Sequence, residues 1–211
     1  MANITTPTGR IAFCSLNEPR ENLSKNLEWN VAIQLTEEES VPLQEALIKE
    51  IEAKQKAGKF PADLPSNMNW PYRPGKEKNE AGELVEVPGT YLWKFVRKAT
   101  RMIKGEVSRN APPQIFDASG AHLMTPPQIG GGSLVRAIFE PFAYSKVQYG
   151  VQCQLRGVQI VNLVDANEIK LDAVEGGWIA PDNALGQLQN APSGLADAFG
   201  GEALAIGDEY V

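Results

Sequence analysis

"LEWNVAIQL", residues 27–35, alternates apolar Leu27, Trp29, Val31, Ile33 and Leu35 with Glu28, Asn30, Ala32 and Gln34. A period of two places the two sets on opposite faces of an extended chain, so the stretch predicts a half-buried strand. Outward from it, "RIAFCSLN" (10–17), "TYLWKFVRKAT" (90–100), "SLVRAIFEPFAY" (133–144) and "VQCQLRGVQIVNLV" (151–164) predict four more strands. In the last of these, Val151, Cys153 and Leu155 share a face. Val158 and Ile160 continue that face only if a bulge at Gly157 adds one residue. "PQIFDASGAHLM" (113–124) reads as a short hairpin closed by Asp117-Ala118-Ser119-Gly120.

One helix interrupts the β pattern. Ser40 suits its cap, Pro42 its first turn and Gly58 its end. Leu43, Leu47 and Ile51 fall on one face, while Glu45–Lys49, Glu50–Lys54 and Glu52–Lys56 are spaced as solvated i,i+4 pairs. Residues 61–89, rich in Pro and Gly around "NMNWPYRPGKEKN", predict a long irregular loop. Residues 166–211 lack a clear period and predict a flexible tail after a folded domain at 1–165. Five strands, one inserted helix and Gly-marked bends fit a mainly β fold, an OB-fold of five strands in a Greek-key barrel. From these features alone a β-sandwich remains open.

The 211-residue chain carries a net charge of −6, but the charge is unevenly spread. Residues 171–211 hold Asp172, Glu175, Asp182, Asp197, Glu202, Asp208 and Glu209 with no Lys or Arg. Between 94 and 109, Lys94, Arg97, Lys98, Arg101, Lys104 and Arg109 face Glu106 alone. Local charge, not the total, decides what such a strip attracts.

Several chemistries are excluded. Cys14, Cys153 and His122 are too few and too scattered for a zinc site or a nucleophile–base pair, and the two cysteines read as buried free thiols. The glycines of "IGGGS" (129–133) lead into a strand, not a helix, so they do not make a phosphate loop. No nucleophile, base and oxyanion donor can be assembled, and neither an enzyme nor a cofactor is expected. No apolar run is long enough to span a membrane, and residues 1–7 lack the features of a signal peptide.

The strip "YLWKFVRKATRMIK" (91–104) calls for a polyanion. On one continuous strand, Tyr91, Trp93, Phe95, Arg97 and Arg101 share one face and Leu92, Lys94, Val96 and Lys98 the other. Trp93 and Phe95 suit a core at least as well as a binding surface. Trp70, Tyr72, Arg73, Lys76 and Lys78 repeat the aromatic-plus-basic mixture in the loop before it. Stacking platforms beside cations are what sequence-tolerant binding of single-stranded nucleic acid requires. The helix is acid-balanced and unsuited to entering a duplex groove. The candidate contacts are therefore Trp70, Tyr72, Arg73, Lys76, Tyr91, Lys94, Arg97, Lys98, Arg101, Lys104 and, on a later strand, Arg136. Trp70 and Tyr72 are the first candidates for stacking, and Lys94 and Lys98 are expected as exposed charges whose reversal leaves the fold intact.

The ordered set "PYRPGKEK … GTYLWKFVRKA … PPQIFDASG … PQIGGGSLVRAIFEPFAY … YGVQCQLRGVQIVNL" resembles the single-stranded DNA-binding proteins of tailed bacteriophages, over about residues 10–165. The resemblance implies an OB-fold protein that coats single strands during phage replication, recombination and repair, in the cytoplasm of the infected bacterial host. It implies single-stranded DNA as partner and a C-terminal tail that recruits replication proteins; a homodimer is one of the oligomeric states the sequence leaves open. In "AIGDEYV" that role would fall to Asp208, Glu209 and Tyr210. The tail departs from the family pattern in being sparsely acidic. A phage assembly β-protein that binds protein, and an RNA-binding OB-fold protein, are the alternative readings.

Overall fold

The structure is a computed structural model that describes residues 3–78, 83–103, 105–145 and 148–166. The candidate Lys104 and the tail residues Asp208, Glu209 and Tyr210 lie outside the described residues.

The chain order is β1 (Ile4–Thr5), β2 (Gly9–Glu21), β3 (Leu27–Thr36), α1 (Glu37–Lys56), β4 (Tyr72–Lys78), β5 (Leu84–Lys98), β6 (Thr100–Ile103), β7 (Glu106–Arg109), β8 (Gln114–Phe116), β9 (Leu134–Tyr144) and β10 (Gly150–Asn162). Strands β2, β3 and β5 form an antiparallel meander. β10 joins β5 in parallel through Cys153 and Gln154, β9 returns antiparallel to β10, and β9 closes onto β2 at Gly9 and Arg10. The ring β2-β3-β5-β10-β9-β2 is the five-stranded Greek-key barrel of the OB-fold. β1 lengthens the wall beside β9, and β8 runs parallel to β10 at its far end.

The core follows from the alternation. Val31, Ile33 and Leu35 of β3 meet Trp93 and Phe95 of β5, Val135 and Phe139 of β9, and Leu155 and Val158 of β10, all fully buried or nearly so. Each such aliphatic side chain contributes on the order of 1.5–3 kcal/mol by leaving water. The β10 register shifts between Leu155 and Gly157, and Val158 and Ile160 are buried again beyond it, as the expected bulge requires. A Cβ at Gly157 would lie 2.8 Å from the Gln114 carbonyl oxygen, so the bulge needs glycine to admit β8.

α1 packs against β9, β3 and β5, with Leu43, Leu47 and Ile51 in the core cluster. It starts earlier than the sequence suggested. Thr36 is the cap: its hydroxyl accepts from the Glu39 N–H, and the Glu39 carboxylate accepts from the Thr36 N–H, a capping box. Ser40 lies inside the helix instead. Its hydroxyl donates to the Thr36 carbonyl at 2.7 Å and accepts from Trp93 Nε1 at 2.9 Å, which satisfies the indole within the core. Pro42 is also inside the helix, and Gly58 has the positive φ of 68° that suits a helix exit.

Two further expectations are corrected. Part of the loop expected at 61–89 is a hairpin arm, β4 on β5, with Tyr72 opposite Trp93 and Lys76 opposite Glu86. Pro74 is tolerated because β4 is an edge strand, and the register shifts directly after it. Arg101 does not continue the strand of Tyr91–Arg97. The chain leaves the barrel at buried Ala99, and β6 pairs with β7 as a separate hairpin.

Candidate nucleic-acid interface

The outer faces of β2, β3 and β5 form a groove, built from parity plus one irregularity. On β5, Leu92 and Lys94 point outward because Trp93 and Phe95 point in. On β3 the corresponding residues are Ala32 and Gln34. On β2, Ile11 pairs with Ile33 and Phe13 with Ala32, so a bulge at Ala12 turns Phe13 out of the core to 43% exposure. The segment 70–73 covers one flank, held where the Pro71 carbonyl accepts the Lys94 N–H at 2.7 Å.

The groove has three connected parts. A crevice of about 890 Å³ is lined by Arg10, Phe13, Gln34, Arg73, Lys76 and Leu92. A second of about 310 Å³ shares Phe13, Arg73 and Leu92 and adds Trp70, Tyr72 and Lys94. A third of about 440 Å³ runs from Phe13 past Cys14 to Arg20 and is walled by Gln128–Gly131. That wall is the "IGGGS" stretch, packed so closely that a Cβ at Gly130 would lie 2.8 Å from the Val164 carbonyl oxygen. Cys153 is buried as expected, while Cys14 is only partly covered. The Cys14 thiol donates to the Ile129 carbonyl at 3.2 Å, and its pKa is raised by burial.

An aromatic ladder leads from the core to this surface. Trp93 stacks on Tyr72 at 4.6 Å and 29°, Tyr91 meets Tyr72 edge-on at 5.5 Å, and Trp70 lies outermost, 5.8 Å from Tyr72. Trp93 is wholly buried and Trp70 is 38% exposed. Burial, then the neighbouring Tyr91, raises the Tyr72 pKa, so its phenol stays neutral. Trp70 thus offers open ring surface braced by Tyr72, and Phe13 exposes its ring on the other flank.

The cations divide into two groups. Lys94 pairs with Glu28 at 3.0 Å, and Lys76 with Glu86 at 3.5 Å. Arg10 and Arg73 form no ion pair among the described residues, which leaves the groove positively charged between its aromatic rings. Arg97, Lys98 and Arg101 are not in this groove; they line a different crevice with Arg156. Arg97 is held there by the carbonyls of Ala111 and Leu155. Arg136 stands apart from both, exposed on β9, with Nε donating to the Thr6 carbonyl at 3.3 Å. The sequence reading missed Arg10, Phe13 and Arg20. The strand of Arg10 and Phe13 was recognised at 10–17, short of Arg20, and the bulge that exposes Phe13 has no glycine to announce it.

No family model matches this chain, and no curated protein matches it. Solved structures do. The chain is similar to the single-stranded DNA-binding protein from bacteriophage Enc34, with a TM-score of 0.51 at 14% identity over 81% of this chain and 87% of that one. A C-terminal truncation of the Enc34 protein gives 0.55 at 12% identity over 77% and 87%. The Enc34 protein in complex with single-stranded DNA gives 0.53 at 13% identity over 79% and 89%. Gp2.5, a single-stranded DNA-binding protein encoded by bacteriophage T7, gives 0.48 at 19% identity over 82% and 99%. The Enc34 likeness establishes the fold: this chain shares the OB-fold architecture of a phage single-stranded DNA-binding protein, in agreement with the resemblance its motifs carry.

Proposed function

We propose that this protein binds single-stranded DNA with little sequence preference and coats it during phage DNA replication, recombination and repair. The observation that carries the reading is the outer-face groove, in which exposed Trp70 and Phe13 alternate with Arg10, Arg73 and Lys76. Bases of any identity offer a π-face to such rings, and phosphates are met by the cations between them. That a protein of similar fold has been solved with single-stranded DNA supports the same reading. On this reading the protein is a binding protein rather than an enzyme and acts in the cytoplasm of the infected bacterium. Homodimer formation and recruitment of phage replication proteins through Asp208, Glu209 and Tyr210 belong to the same proposal.

The test is a titration with single- and double-stranded oligonucleotides at several salt concentrations, followed by intrinsic tryptophan emission. Single strands should bind in preference to duplex, with log affinity falling against log salt by about 0.7 per phosphate contact. Binding that ignores salt, or a stronger response to an RNA oligonucleotide of the same sequence, would refute the DNA reading. No response to any nucleic acid would leave an assembly protein as the better account.

A further inference from the structure

The crevice that takes Arg97, Lys98 and Arg101 is unused by the groove described above. It has a volume of about 540 Å³ and lies over the outer faces of β5, β10 and β9, roofed by the β6–β7 hairpin. Arg97, Arg101 and Arg156 converge on it from three elements, and Lys98 joins them from β5. Of these four, only Arg156 has a carboxylate partner among the described residues, Glu140. Burial and then the nearby Arg156 and Arg101 guanidiniums lower the Arg97 pKa, so the three like charges already repel one another. An anion placed among them relieves that repulsion.

The hairpin brings a second, independent feature. Met102 and Val107 are cross-strand partners, 66% and 69% exposed, and both line the crevice. An exposed apolar pair beside convergent arginines offers a base a surface to pack on next to cations for its phosphate.

The two surfaces lie on one line. Leu92 and Lys94 reach the groove, and Val96 and Lys98, next along the same face of β5, reach the crevice. Leu92 to Lys98 spans roughly 20 Å of strand, with successive outward residues about 7 Å apart. We propose that this crevice is a second nucleic-acid subsite, which takes the phosphates and a base of the same strand after it leaves the groove. The inference rests on the proposed single-strand binding and extends the site to the other end of β5.

The experiment uses the full chain and oligodeoxythymidylates from about 4 to 16 nucleotides, the range of OB-fold site sizes. It compares wild type with Arg101→Glu and Met102→Ala, read by anisotropy of a labelled probe. Both residues are exposed on the hairpin, and thermal melts check that the barrel is unchanged. For wild type, affinity should rise steeply with probe length. Each variant should bind the shortest probe as wild type does and lose about five-fold or more on the longest. Equal losses at all lengths, or none at any length, would overturn the second subsite. A changed sedimentation coefficient with unaltered DNA affinity would also overturn it, by marking the surface as a protein interface. If wild type binds no probe of any length, the proposed function itself fails, and that outcome is distinct from the others.

Discussion

Replacing Trp70 by alanine separates stacking on DNA from support of the fold. Trp70 is the outermost ring of the ladder, 38% exposed, and touches Tyr72 in a tilted arrangement at 5.8 Å. Loss of such a partly solvated ring pair costs about 0.5–1.5 kcal/mol of stability. If a base stacks on the indole, its loss costs about 1–3 kcal/mol of binding, a weakening of roughly 5- to 150-fold. Tyr72→Ala is the contrasting variant. It removes the stack on buried Trp93 and the edge contact with Tyr91, so it should lower stability more than Trp70→Ala does. Affinity is read from the anisotropy of a labelled single strand, so the missing tryptophan does not confuse the signal. Stability is read from thermal melts. In a chain without residues 171–211, and so without Trp178, the remaining Trp29 and Trp93 are buried at 7% and 0% exposure, and the emission change on binding should largely vanish in Trp70→Ala. A variant that binds within twofold of wild type would refute the stacking role. A fall in melting temperature as large as that of Tyr72→Ala would show that the ring supports the fold instead.

Lys94→Glu should destabilise the protein by about 1–3 kcal/mol, because it sets a carboxylate beside buried Glu28. That is less than a fully buried pair would cost, since Lys94 is 46% exposed and solvent screens it. Lys98→Glu should change stability by only about 0.5 kcal/mol, and denaturant melts of the two variants check the difference. Gly157→Ala should cost about 1–3 kcal/mol, as its methyl meets the Gln114 carbonyl at 2.8 Å and β8 must move; a melt equal to wild type would contradict that packing. Deleting residues 171–211 removes seven acids and no base, so single-strand affinity should rise modestly at low salt and the gain should fade as salt increases. Weaker binding by the truncated chain would show instead that those residues contribute to the site.

The sequence by itself determined the five barrel strands, the helix face and the bulge at Gly157, because each is written in local periodicity. Val31, Ile33 and Leu35 are buried in the core as their alternation requires, while Glu28 and Ala32 on the opposite face are covered by other segments and Leu27 at the strand end is exposed. The order of motifs carried the likeness to a phage OB-fold, and the mixture of rings and cations around 70–104 marked the surface proposed here to bind single strands. Tertiary structure decided how that surface is divided. Lys94 and Lys98 share a strand face, yet one meets Glu28 in the groove and the other enters a separate crevice. What lies opposite an outward side chain depends on distant segments. The bulge at Ala12 reverses the parity of Phe13, and the break at Ala99 detaches Arg101 from the strand that precedes it. The edge strand β4 was hidden for a related reason. With little core to face, Tyr72–Lys78 has no apolar alternation to reveal it, and only its pairing with β5 makes it a strand.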